Sequence, residues 1–209
     1  MTNRPSLTRE KKSEEMRLRL IQATLDSLNE HGYHGASLSR ILEKAGVSRG
    51  AWSHHFDSKK DLVAAAAQWM YRAVMIKGRE VIPLLAEQSN LTAAMEFIWD
   101  HFYQGRYRNV WLEITIACRT DRELNRMIKP VIDRFYADMQ SIIREIFGPS
   151  TTAIAPVETL MNISFYFFRG MSIQSIVRED PEEFRAMRRQ WINMIAPILN
   201  LLMPGAFHT

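Results

Sequence analysis

Ser37-Leu38-Ser39-Arg40-Ile41-Leu42-Glu43-Lys44-Ala45-Gly46-Val47-Ser48-Arg49-Gly50-Ala51-Trp52-Ser53-His54-His55-Phe56 reads as two short helices meeting at a tight turn. Ser37 stands as an N-cap before the stripe Leu38, Ile41, Leu42 and Ala45, and Gly46 is placed as the stop. Ser48 caps the next helix, which is expected to run to about His55. Two helices turned in this way let the first cross a DNA backbone while the second enters the major groove. Leu38, Ile41, Leu42, Val47, Trp52 and Phe56 are the positions that would hold the pair to a preceding helix, and Arg49, Gly50, Ser53 and His54 remain outward. Spacing alone fits a helical hairpin inside a larger bundle equally well.

Working outward, apolar residues recur at helical spacing with no sustained alternation of β-branched residues, so the chain reads as all-α, with about nine helices. The first runs from about Thr8 to Glu30 on the stripe Leu18, Ile21, Leu25 and Leu28, and Gly32 is placed to end it. Ser58 with Asp61 caps a fourth helix through about Gly78. Beyond Pro83, helices are expected over about Leu91–Tyr103 and Arg106–Arg119. A long one then opens on a Thr120–Glu123 capping box, kinks at Pro130 and closes at Gly148-Pro149. The last two run from about Ala153 to Arg178 and from Pro181 to Leu202, the second capped by Asp180 with Glu182 and Glu183 in its first turn. No repeat of fixed period and no low-complexity segment interrupts this order.

The chain has 209 residues, 46% hydrophobic and 24% charged, which suits one or two packed domains and excludes disorder and fibrous repeats. Its longest strongly apolar charge-free run, from Thr159 to Phe168, falls short of the roughly 20 residues of a membrane span, so no membrane partner is expected. The opening Met1-Thr2-Asn3-Arg4-Pro5-Ser6 lacks the apolar stretch of a secretory signal and the one cysteine is Cys118, so a reducing cytoplasm is expected. Residues 1–60 hold eleven Lys/Arg against seven Asp/Glu, whereas residues 61–209 hold sixteen of each. The excess positive charge is N-terminal, where a module meeting phosphates would carry it.

The wording of the opening stretch separates the two readings of its spacing. Gly35, Ala45-Gly46-Val47-Ser48, Gly50, His55-Phe56, Lys59 and Leu62 follow the pattern of the TetR family of bacterial repressors, which the chain resembles over about residues 10–65. The resemblance implies a helix-turn-helix DNA-binding domain at 1–58 and a ligand-binding and dimerisation domain at 59–209. It implies a homodimer on a palindromic double-stranded operator, released when a small effector bound in the body moves the fourth helix. Ser37, Ser39, Ser48, Arg49, Gly50, Ala51, Ser53, His54, His55 and Lys59 are the candidate DNA contacts, Arg49 by a bidentate bond to guanine and Lys59 on a phosphate. One departure stands out: Ser53 occupies the place of a phosphate-binding Tyr, and Trp52 that of a neighbouring Leu.

In the body, the penultimate helix is apolar nearly all round, which predicts burial on both sides. The apolar face of the last one suggests a four-helix interface with a second copy. Phe168, Met171, Phe184, Met187, Trp191, Met194 and Ile198 are its candidates, the alternative being that both helices simply cover the protomer's core. Phe97, Phe102, Trp111, Met139, Phe165 and Tyr166, with Glu113, are candidates for lining a pocket for a small, largely apolar ligand. Glu113 fits equally a cationic ligand, solvent or an Arg. Arg185, Arg188 and Arg189 read as a solvated face. His31, His34, His54 and His55 lack metal-ligand geometry, Cys118 reads as a packed thiol, and no phosphate loop or nucleophile elbow is present. No cofactor and no enzymatic activity are expected; a helical protein-binding adaptor or a DNA-binding activator are the alternatives.

Overall fold

A computed structural model describes residues 4–86, 90–147 and 154–202. Among them the chain forms ten helical segments: α1 (Arg4–Gly35), α2 (Leu38–Ala45), α3 (Arg49–Trp52), α4 (Lys59–Gly78), α5 (Val81–Ala86), α6 (Leu91–Phe102), α7 (Gly105–Thr120), α8 (Arg122–Phe147), α9 (Ile154–Gln174) and α10 (Pro181–Leu202). The all-α reading holds; the short α5 is the segment that periodicity missed. The expected stop at Gly148-Pro149 and the expected start at Ala153 lie outside the described residues. No described helix is long and apolar enough to cross a membrane.

By compactness the chain divides into two units, one taking in Met1–Tyr71 and Asn109–Ile132, the other Arg72–Arg108 and Asp133–Thr209. In the first, α1 buries Leu20, Ile21, Leu25 and Leu28, and Ile41, Leu42, Val47, Phe56, Leu62, Val63, Val110, Ile114 and Leu124 are buried as well. Each such side chain taken out of water contributes about 1.5–3 kcal/mol before the entropy of ordering is set against it. Leu18, expected in the α1 stripe, is 37% exposed, and Leu20 takes the buried place instead. Gly32 breaks α1 as expected, at φ 67 and ψ 177, a left-handed φ that a side chain makes costly.

One local expectation changes. The cap of α8 is Asp121, which accepts from the amides of Glu123 and Leu124 at 3.1 and 3.0 Å, while the Thr120 hydroxyl turns back to the Ala117 carbonyl at 3.5 Å. Aspartate one residue later wins because its carboxylate reaches two orphan amides and carries the charge that a helix start favours. Pro130 lies inside α8, where its ring lacks the amide that would donate to the Arg126 carbonyl.

The second unit has its own core, in which Met95, Trp99, Tyr103, Ile143, Val157, Met161, Phe168, Ile192, Ile195 and Leu199 are buried. Phe168 meets the rings of Trp99 and Tyr103 edge-on at 6.0 and 5.8 Å. Burial of α9 is one-sided, since Ile163 and Tyr166 are 47% and 55% exposed in the protomer. Arg188, expected on a solvated face, is 4% exposed, paired with both Glu96 oxygens and stacked 4.3 Å from the Trp99 ring.

Candidate nucleic-acid interface

The interface is built by helix ends. Ser37 Oγ accepts from the Arg40 amide at 3.3 Å and opens α2; Gly46 closes it in the left-handed region, at φ 62 and ψ 39, donating to the Glu43 carbonyl at 3.1 Å. The Val47 amide reaches the Leu42 carbonyl at 3.0 Å, so the chain reverses with its polar groups satisfied and Val47 buried. Ser48 Oγ then accepts from the Ala51 amide at 3.2 Å and starts α3. α3 is shorter than expected: its α-helical part ends at Trp52, and residues 53–55 continue as turns until the Phe56 amide returns to the Trp52 carbonyl at 3.3 Å.

On this frame Ser39, Arg49, Gly50, Ser53 and His54 are exposed, with Ala51 and His55 partly covered. Arg49 Nη2 donates to Ser39 Oγ at 3.1 Å, so the guanidinium lies along the α2 side of the turn with further N–H groups left for a base edge. A Cβ built on Gly50 meets no heavy atom within 4 Å, so nothing inside the fold requires glycine there. The Ser53 hydroxyl donates to the Gly50 carbonyl at 3.0 Å; in the free protein it is turned onto its own helix and not outward. The Trp52 indole N–H is buried without a partner, a feature no spacing argument reveals.

Lys59 is placed differently from expectation. Its ammonium donates to the Tyr33 carbonyl at 2.5 Å and sits 4.3 Å over the Tyr33 ring, and burial pulls its pKa below that of an ordinary lysine. Glu113, a candidate for an effector, instead accepts from the Tyr33 amide at 2.8 Å, and a Cβ at Gly32 would come within 2.7 Å of its carboxylate. The two side chains grip the break in α1 from α4 and α7. Beside them lies a cluster missed in the sequence: Lys60 donates to Asp121 at 3.0 Å and to Glu123 at 2.6 Å. These carboxylates hold the Lys60 ammonium well above the ordinary lysine range. No local signal ties residues more than sixty positions apart.

The remaining body candidates scatter. Trp111 and Glu113 belong to the first unit and the other five effector candidates to the second. Phe97 stacks on His101 at 4.1 Å, the Phe165 carbonyl accepts from Tyr103, Tyr166 is exposed and Met139 half-buried. A cavity of about 340 Å³ in the second unit takes none of them; it is lined by Trp99, Phe184, Arg108, Arg188, Glu96 and Asp180, among others. Of the interface candidates, Phe168, Met171 and Phe184 lie in the protomer's own core, and Trp191 is half-buried with its indole donating to Ser164 at 2.9 Å. Met187, Met194 and Ile198 are exposed by 37%, 59% and 47%. Phe102 is half-buried, edge-on to Tyr107 at 6.3 Å.

Residues 20–66, which hold this interface, match the family described as bacterial regulatory proteins, tetR family. The HTH-type transcriptional regulator CymR of Pseudomonas putida is 25% identical over 187 residues, 90% of this chain and 92% of that protein. An uncharacterized HTH-type transcriptional regulator of Mycobacterium bovis is 28% identical over 92% of this chain and 96% of its own. A solved tetR-family regulator from Mesorhizobium loti shares the fold, with a TM-score of 0.73 at 17% identity over 90% of this chain and 97% of that one.

Proposed function

This chain belongs to the TetR family of bacterial transcriptional regulators, DNA-binding proteins and not enzymes, and from that premise we propose that it is a ligand-responsive repressor. It acts in the cytoplasm as a homodimer on a palindromic operator, with residues 1–58 reading DNA and residues 59–209 sensing an effector and dimerising. The observation that carries this reading is the exposed row of Arg49 and Gly50 on a capped α3 and Ser53 and His54 in the turn that follows it. Short side chains beside one guanidinium allow close approach to base edges, and Arg49 is the residue that reads guanine. Met194 and Ile198 on α10, with Ile163 and Tyr166 on α9, supply the apolar surface for a second copy. A two-fold dimer then requires two half-sites one helical turn or a multiple apart.

The aromatic side chains of α6 and α9 support a small, largely apolar effector. A second reading follows from the charged cavity beside Arg188 and Glu96, which suits an effector with ionic groups. Selection of bound duplexes from a random pool, followed by a screen for small molecules that release the selected operator, tests all of this. Palindromic enrichment and release are expected; enrichment of no sequence removes the regulator reading, and a strictly monomeric protein on a single half-site removes the dimer.

A further inference from the structure

The cavity of about 340 Å³ in the second unit has a floor that the fold has almost closed off. Arg188, Trp99 and Phe184 line it and are only 4%, 5% and 4% exposed. Asp100, Glu179 and Asp180 line the same cavity and are exposed, so they form its rim. A volume of this size lies at the small end of the range for sites that enclose small molecules.

What the floor offers is a hydrogen bond and not a net charge. Arg188 Nε donates to the two Glu96 oxygens at 3.0 and 3.2 Å and Nη2 donates to one of them at 2.6 Å, so its positive charge is answered inside the protomer. Nη1 has no acceptor among the described residues, yet it is not sealed from solvent as the Trp52 indole nitrogen is. A donor left without an acceptor in a nearly closed site is costly, and a ligand oxygen would satisfy it. A carboxylate in that place would crowd the charge of Glu96; a hydroxyl would not.

The rim has the opposite need. Of the other guanidiniums at the cavity, Arg178 is paired with Glu183 and Arg185 with Glu182, neither of which lines it, and Arg108 donates to the Ser175 hydroxyl at 3.2 Å. The Asp100 carboxylate accepts from the Gln104 side-chain amide at 3.3 Å, and that of Asp180 from the Glu183 backbone amide at 2.9 Å. Among the described residues no ion pair reaches Asp100, Glu179 or Asp180. No group of three carboxylates or other metal-binding side chains among those residues converges closely enough to hold a metal ion. The cation that answers this rim is therefore an organic one.

We propose that this cavity binds a small amino alcohol, its ammonium held by Asp100, Glu179 and Asp180 and its hydroxyl oxygen accepting from Arg188 Nη1. The inference deepens the reading of an effector with ionic groups and rests on that reading for its consequence on DNA. The site takes none of the aromatic candidates for an apolar effector.

The test is calorimetric titration of the full chain, without DNA, with the amino alcohols from 2-aminoethanol to 6-aminohexan-1-ol. Each is compared with the alkylamine, the alcohol and the amino acid of the same chain length. The best amino alcohol is expected to bind roughly tenfold more tightly than each of its three counterparts near 0.05 M salt. The variant D100N/E179Q, altered only on the exposed rim, should lose roughly tenfold of that affinity, the loss shrinking as salt is raised. Its helical circular dichroism and its operator binding without ligand should match the wild type. Binding of no amino alcohol, equal binding of the alkylamine, or affinity indifferent to D100N/E179Q overturns the site. The same amino alcohol should release the selected operator from the wild type at roughly tenfold lower concentration than from D100N/E179Q. Binding without release keeps the site and overturns its reading as an effector site. Absence of selective binding to any operator overturns the regulator reading and leaves the calorimetric result standing.

Discussion

The α2–α3 pair and the α9–α10 pair are built alike and end up presenting opposite surfaces. In each, a polar side chain caps the second helix: Ser48 holds the Ala51 amide at 3.2 Å and Asp180 holds the Glu183 amide at 2.9 Å. Each also commits an inner row to a core, Ile41, Leu42 and Val47 in the first pair, Phe168, Phe184, Ile192 and Ile195 in the second. What remains outside differs. The first pair leaves a guanidinium, two hydroxyls, an imidazole and a glycine; the second leaves Ile163, Tyr166, Met194 and Ile198. Capping and burial hold both pairs together, and the outer residues, which contribute little to the fold, set the chemistry each surface offers: hydrogen-bonding groups of the kind that suit base edges, and apolar ones of the kind that suit another chain on the function proposed above.

The largest way to disturb this contrast is on the inner face of α10. Arg188→Ala leaves Glu96 without its bidentate partner and removes the stack on Trp99. It is expected to cost about 3–5 kcal/mol in denaturant unfolding; a cost under about 1 kcal/mol would mean that Arg188 is not part of the core. On the outer face of the same helix, M194D/I198D should leave folding unchanged. It should convert dimer to monomer in sedimentation velocity and weaken operator binding by about a hundredfold or more. Dimers that survive both charges would place the interface elsewhere.

Arg49→Ala, on the outer face of the reading head, should cost about 1–3 kcal/mol of discrimination at one or two base pairs, read by competition with single-base operator variants. Gly50→Ala sharpens the point, because a methyl there meets nothing inside the fold. The unfolding midpoint should hold or rise slightly, while operator affinity falls several-fold; equal affinity would show that the backbone at Gly50 does not approach DNA closely. The smallest effect concerns pH. The Asp121 carboxyl is held below the ordinary carboxylate range, first by the Leu124 amide and then by Lys60. Its contribution is fully present above the ordinary carboxylate value and is lost as pH falls through the lowered one. Asp121→Asn should therefore flatten the acid limb of stability against pH and leave the trend above pH 6 unchanged.

Much of this was legible from local rules. Ser37, Gly46, Ser48, Ser58 and Asp180 act at helix ends as their residue types demand, because a cap depends on amides three or four positions away. Failures of sequence reading came where one partner is distant. Arg188 looks solvated in its own helix and is buried because Glu96, on α6, faces it. Lys59 and Glu113 look like free charges for ligands, yet both are taken up by the backbone of Tyr33. Phe168, Met171 and Phe184 were grouped with the exposed α10 residues because periodicity says which residues share a face, not which molecule covers it.

By itself the sequence determined the helical class, the capped turn from Ser37 to Phe56 and the N-terminal excess of charge, since each follows from spacing and residue type within one or two helical turns. Only the tertiary structure decided which charges are occupied and which are available. It ties Lys59, Lys60, Glu113 and Arg188 into the fold and leaves the side chain of Arg49 exposed. Pairing between charges far apart in sequence depends on where packing brings them, and no local pattern records that.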